Sequence, residues 1–304
     1  MDTWTFKNPK NEITLTAGVR ALYYDFNGQF LVNPRASISL KPRWKHEFIF
    51  RLAGGYYSQP PTFRDLTNLQ GEIVPGLLSQ NALQIVAGSD YYFKAWGRTF
   101  KLGTEIYYKY IDHLIPYEID NLKIRYYGTN DAFGYAAGID FRINGEFVKG
   151  AESWASISLM KTEENINGDW VPSPTDQRLN LAIFFQDFIP KFPTWRVNLT
   201  FFYGTGLPFG APGAPKSEQT LRMPPYRRVD IGLSKQLIGE RTKFSHKNPL
   251  KVFRSMWISL EVFNLLGISN TVSYLWVTDI SGRQYAVPNY LTPRQFNLKL
   301  MVTF

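Results

Sequence analysis

Apolar residues recur at every second position over unusually long stretches of this chain, and that period decides what it can fold into. In TFKLGTEIYYKYI, Phe100, Leu102, Ile106, Tyr108 and Tyr110 share one parity, while Lys101, Glu105, Tyr107 and Lys109 share the other. Side chains on a strand alternate between faces, so this is a two-faced strand. EITLTAGVRALYY repeats the pattern with Ile13, Leu15, Ala17, Val19, Ala21 and Tyr23, and WRVNLTFFYG with Trp195, Val197, Leu199, Phe201 and Tyr203. About twelve such segments are expected, at 12–24, 34–42, 45–57, 81–94, 99–111, 122–143, 151–161, 177–188, 194–204, 225–237, 252–265 and 292–304. Most exceed the usual five or six residues of a soluble strand and reach the length that crosses a bilayer at a tilt.

Composition points the same way. Aromatic residues make up 16% of the 304 residues. Membrane barrels hold such rings in interfacial girdles, whereas a soluble domain has difficulty hiding them. No apolar run approaches the roughly 18 residues of a membrane helix. The absence of Cys excludes a disulfide framework, a thiolate metal site and a Cys nucleophile. His46, His113 and His246 lie far apart, so no metal site is expected. No phosphate loop and no nucleophile elbow occurs, and neither catalytic residues nor a cofactor are expected.

Connections between the segments alternate in length. PRW, KAWGR, NGEFVKG and IPKFP are short; the 24–33, 58–80, 161–176 and 204–225 stretches are longer. LIGERTKFSHKNPLK, at 237–251, departs from the alternation. Short turns on one side and long loops on the other describe an outer-membrane barrel. Charge sorts likewise: Arg43, Lys45, Lys94 and Arg98 flank short turns, whereas Asp112, Glu118, Asp120, Glu163, Glu164, Asp169 and Asp176 fall in or beside long loops. The net charge of +9 therefore needs no nucleic-acid partner.

The order of segments resembles TonB-dependent receptors. EITLTAGVRALYYD, LVNPRASISLKPR and FRLAGGYYSQPPTFRDL follow one another as in that family, with Gly18, Arg20, Pro34, Arg35, Tyr56, Tyr57, Pro60, Pro61 and Phe63 in matching places. Downstream, IYYKYIDHLIPY, YAAGIDFRI, PYRRVDIGLSKQL and LEVFNLLGISN resemble later strands of the family, with Asp140 where Glu is usual. The chain ends RQFNLKLMVTF, placing Phe296, Leu298, Leu300, Val302 and Phe304 on one face. That resembles the C-terminal strand read by the barrel-assembly machinery.

The resemblance implies an all-β antiparallel transmembrane barrel, with 1–304 forming the C-terminal portion of a 22-stranded one. It implies import of a scarce bulky nutrient such as a metal chelate, haem, cobalamin or a glycan, together with a plug domain, the TonB energy-coupling complex and outer-membrane lipid. No plug segment or signal peptide is recognisable, so an open, curved sheet is expected, with 12–24 and 292–304 not paired to each other. The alternative is a self-contained twelve-stranded channel or an outer-membrane hydrolase. Candidate ligand contacts are Tyr57, Phe63, Arg64 and His113, with Tyr56, Tyr107 and Trp276 as further vestibule aromatics; girdle or loop packing is the plainer reading of these rings. The Glu163–Glu164 pair reads as a solvated loop tip, and His46 and His246 as exposed turn residues.

Overall fold

The computed structural model describes residues 1–304 except 121–122, 149–150, 190–191, 212–213, 215, 219, 240–241, 243, 245–247 and 292. Thirteen strands form its main sheet: β1 (Asp2–Lys7), β2 (Asn11–Tyr24), β3 (Gln29–Pro42), β4 (Glu47–Gln59), β5 (Gln80–Ala95), β6 (Arg98–Leu114), β7 (Ala132–Val148), β8 (Ala151–Ile166), β9 (Leu179–Ile189), β10 (Phe192–Gly204), β11 (Tyr226–Ile238), β12 (Ser255–Phe263) and β13 (Gln295–Thr303). Each is antiparallel to the next in chain order. A fourteenth segment, Asp169–Pro172, folds back onto the end of β8. Among the described residues no ladder joins β1 to β13, so the sheet is open, as expected. No described helix is long and apolar enough to cross a membrane.

Register makes the alternation three-dimensional. Leu15, Ile38, Leu52, Ala87, Ile106, Ile139, Leu159 and Leu179 pair in succession, drawing one apolar row across β2 to β9. Leu15, Ile38, Leu52, Ile106 and Leu159 in that row are exposed. An uncovered apolar band of this extent suits hydrocarbon rather than water. The opposite parity is polar: Arg51, Asp90, Lys101, Glu105, Asp140, Arg142, Ser156 and Ser158 line a hollow of about 670 Å³ spanning β4 to β8. Residues of five strands can line one hollow because the sheet curves towards this polar side. Arg51 donates to Asp90 at 2.5 Å and Lys101 approaches the same oxygen at 3.0 Å, so these lumenal charges satisfy one another.

Aromatics gather on the outward face near the short turns. Phe48, Tyr91, Phe93 and Phe100 stack in sequence at 4.4, 5.3 and 5.6 Å, flanked by Trp44 and Trp96. The two-residue turn between β5 and β6 has φ of 50° at Trp96 and 73° at Gly97, the mirror-image turn that matches strand twist. Inside the curve, Tyr107 pairs with Gly138, and a Cβ on Gly138 would lie 2.5 Å from the tyrosine hydroxyl and 2.7 Å from the Leu159 carbonyl oxygen.

Three sequence expectations need correction. β1 was not expected; it pairs with the first half of β2. The 24–33 stretch is mostly strand, since β2 and β3 run on to a turn at 25–28. The 122–143 segment is two elements: Lys123–Tyr126 belongs to a loop hairpin with Tyr117–Asp120, and the sheet strand starts at Ala132. Lys123 and Arg125 therefore sit in a long loop, diluting its acidic excess.

Candidate functional site

Five long connections, 60–79, 115–131, 167–178, 205–225 and 264–294, lie at the same end of the sheet; the second, fourth and fifth carry hairpins of their own, and the third folds back onto β8. The first two share a small core of Leu66, Leu77 and Ile115, with Val74 and Tyr126 against it. Backbone groups inside are satisfied locally: Asp65 accepts from Thr62 N at 2.8 Å, and Asn27 Nδ2 donates to the Leu77 carbonyl at 2.7 Å. Arg125 donates to the Leu69 carbonyl at 3.1 Å and Asn130 to the Leu78 carbonyl at 3.0 Å, tying the second loop to the first.

Two buried carboxylates tie in the others. Asp176, fully buried, accepts from Thr162 N at 2.8 Å, from Arg178 Nε at 2.7 Å and from Arg222 Nη2. Glu164, 2% exposed, meets Lys216 Nζ at 2.9 Å, and Lys216 is itself only 8% exposed. The same ammonium donates to the Tyr117 carbonyl at 2.7 Å and lies 5.3 Å from the centre of the Tyr117 ring. Burial drives the Tyr117 phenol up to about 12, helped by the Glu164 charge. Burial also raises Tyr126 to about 12, with a hydrogen bond to Asp65, and Tyr127 to about 12, beside Glu118.

This crown borders two half-open cavities. The outer, about 550 Å³, is lined by Glu118, Tyr127, Asp131, Asp169 and Lys216 among others. The inner, about 390 Å³, opens on the polar face between Lys109, Ala136, Met160, Tyr117 and Glu164. Beside them, Phe209 stacks on Tyr274 at 4.4 Å, and Trp276 lines the same apolar cleft, with Pro172 and Pro208.

The expected contacts are scattered around this mouth. Tyr57 shares the polar parity near the top of β4, Phe63 is 77% exposed on the first loop, and Arg64 follows it, exposed. His113 sits at φ 53° with Nδ1 3.4 Å from both Asn81 and Asp112. No hydrogen bond, ion pair or ring contact among the described residues joins these four to one another. Tyr56 has the apolar outward parity, in register with Leu83, and so leaves the vestibule set. His46 is exposed, near Tyr91, and His246 lies outside the described residues. Glu164 corrects the solvated-tip reading. The signal was present: adjacent strand residues face opposite ways, and the Asn167–Gly168 turn beyond folds the chain back over β8.

Known structures match this arrangement over almost its whole length. The ferric-catecholate import receptor Fiu of E. coli K12 superposes with a TM-score of 0.62 at 14% identity, over 96% of this chain and 42% of that one. The fold is that of a TonB-dependent receptor barrel. Copper transporter OprC gives 0.62 at 11% identity over 99% of this chain and 47% of its own. The siderophore receptor PiuA of Acinetobacter baumannii gives 0.61 at 13% identity over 96% and 41%. The chain thus spans less than half the length of these proteins. No protein-family model and no curated protein matches it.

Proposed function

We propose that the chain is the C-terminal portion of the barrel of a TonB-dependent outer-membrane receptor that imports a scarce, bulky nutrient, working with a plug domain and the TonB energy-coupling complex. The observation that carries this reading is the open sheet, apolar outside and polar within, that follows solved importers over 96–99% of its length. A ligand meets the loop crown first, with Tyr57, Phe63, Arg64 and His113 at its mouth. Phe296, Leu298, Leu300, Val302 and Phe304 serve barrel assembly. Two of the neighbours are described by a siderophore or ferric chelate and one by copper, which favours a metal-bearing nutrient. A closed ladder from β1 to β13 would have favoured the self-contained channel.

The test disrupts the gene in its native host and measures growth and radiolabelled uptake with ferric chelates, copper, haem or cobalamin limiting. The expected result is loss of uptake for one nutrient, restored by complementation. A protonophore should abolish accumulation yet leave surface binding. Uptake indifferent to the protonophore, or protein recovered outside the outer-membrane fraction, would overturn the reading.

A further inference from the structure

We infer that Lys216 is a tethered cation closing the passage between the two loop cavities, and that the outer cavity takes a ligand group bearing an ammonium or guanidinium, which exchanges with it. This rests on the receptor reading above. Lys216 lines the outer cavity, and Glu164 and Tyr117, which hold its ammonium, line the inner one. The three therefore form part of the partition between them.

The chemistry of that partition is an ammonium cage. A carboxylate oxygen at 2.9 Å, a carbonyl oxygen at 2.7 Å and an aromatic face at 5.3 Å surround one –NH₃⁺. Side-chain exposures of 6% and 3% leave little water to replace any of them. Removing the cation strands a buried carboxylate, so the cage needs a cation from some source. The outer cavity supplies a reason for that source to be a ligand. Glu118, Asp131 and Asp169 line it, and among the described lining residues the only other charged group is Lys216 itself, already neutralised by Glu164. A cationic group is concentrated there, next to the cage, while a multiply anionic one is repelled.

These 304 residues contain no Cys, so a cysteine introduced among them is the one thiol they contribute, and the full-length parent without it gives the labelling background. Met160→Cys, facing the inner cavity, is placed in the full-length protein in cells and labelled from outside with a membrane-impermeant maleimide. Ile280→Cys, at the fully exposed tip of the 271–290 hairpin, reports surface display. Lys216→Ala should raise the labelling rate of Met160→Cys by an order of magnitude or more, whereas Lys216→Arg should hold it near the parent. n-Butylammonium chloride should leave Lys216→Ala fast, because a cation with no tether leaves the cage as the reagent passes. With Lys216 present, butylammonium on the order of 100 mM, above the effective concentration of a tethered group, should displace the lysine and speed labelling, whereas butan-1-ol should not. That arm stands even where Lys216→Ala fails to insert. Labelling of Met160→Cys unmoved by Lys216→Ala or by butylammonium, with Ile280→Cys still labelled, overturns the gate alone. Ile280→Cys shielded from the reagent overturns the surface-receptor reading beneath it.

Discussion

Arg222 donates through Nη2 to the buried carboxylate of Asp176, joining two loops 46 residues apart in sequence. Its Nη1 also donates to the Asp176 carbonyl at 2.5 Å, so one guanidinium holds both the side chain and the backbone of its partner. Arg178 and Thr162 N complete the shell of Asp176. This carboxylate is the point where the 167–178 loop, the 205–225 loop and the top of β8 are fixed together.

Asp176→Ala should therefore loosen the crown and not the sheet. It leaves the Thr162 N–H without its acceptor and takes the carboxylate from two guanidiniums, Arg178 and Arg222, a loss of about 2–4 kcal/mol locally. Hydrogen exchange should accelerate at Thr162 and through 173–178 and 220–222, while β4 to β6 keep their protection. Accelerated exchange throughout the sheet would contradict this division.

The three raised phenols set a pH window. Tyr117, Tyr126 and Tyr127 titrate near 12 in the folded crown against about 10 in an unfolded chain. A folded value above the unfolded one means stability that is fully present below pH 10 and lost as pH rises through 12. Loop protection should hold to about pH 10 and then fall, in step with tyrosinate absorbance. Tyr126→Phe, which cannot ionise, should weaken the fall. Loss of the crown beginning well below pH 10 would point to another titrating group.

The sheet was legible in the sequence because one rule, period two, governs every membrane strand and each segment declares it locally. Where the reading slipped, local period carried no information about partners. KIRYY alternates as well as a barrel strand does, yet Lys123–Tyr126 pairs with Tyr117–Asp120 above the sheet. DTWTFK is too short to stand out until β2 is there to pair with it. The crown was hidden for a related reason. Lys216 and Glu164 are 52 residues apart, and nothing in the Gly- and Pro-rich stretch around Lys216 announces a buried charge. Such pairs are fixed by how loops meet, which only the closed register of β8 to β11 decides.

The outward row gives a test of which face meets lipid. Ile106 lies mid-strand, exposed, between Ala87 and Ile139 on its neighbours. Ile106→Arg should destabilise the inserted sheet by about 2–4 kcal/mol if it lies near the bilayer midplane. Lys101→Arg, on the polar face beside Asp90, should change little, because the site already holds a cation at 3.0 Å. Urea titration after insertion into lipid vesicles measures both. Equal tolerance of the two would mean the apolar face is not in hydrocarbon.

The last strand yields the final prediction. Phe296, Leu298 and Leu300 pair with Val262, Leu260 and Ile258, continuing the apolar parity to the edge of the sheet. Phe304 follows the last ladder pair and stands 79% exposed, its ring centre 5.3 Å from that of Phe253. Arg254 N donates to the Thr303 carbonyl at 2.8 Å, so the backbone beside Phe304 is held without help from its ring. An aromatic that contributes one tilted contact and no hydrogen bond adds little to the finished sheet. It lies far from the loop crown, at the opposite end of β13. Phe304→Ala should therefore lower the amount of heat-modifiable, inserted protein in the outer membrane while the inserted fraction keeps its ligand affinity and urea midpoint. Phe253→Ala, which removes the same ring contact from the other side, should leave insertion near the parent level. Equal loss from both substitutions would assign the effect to packing and remove the assembly role from Phe304.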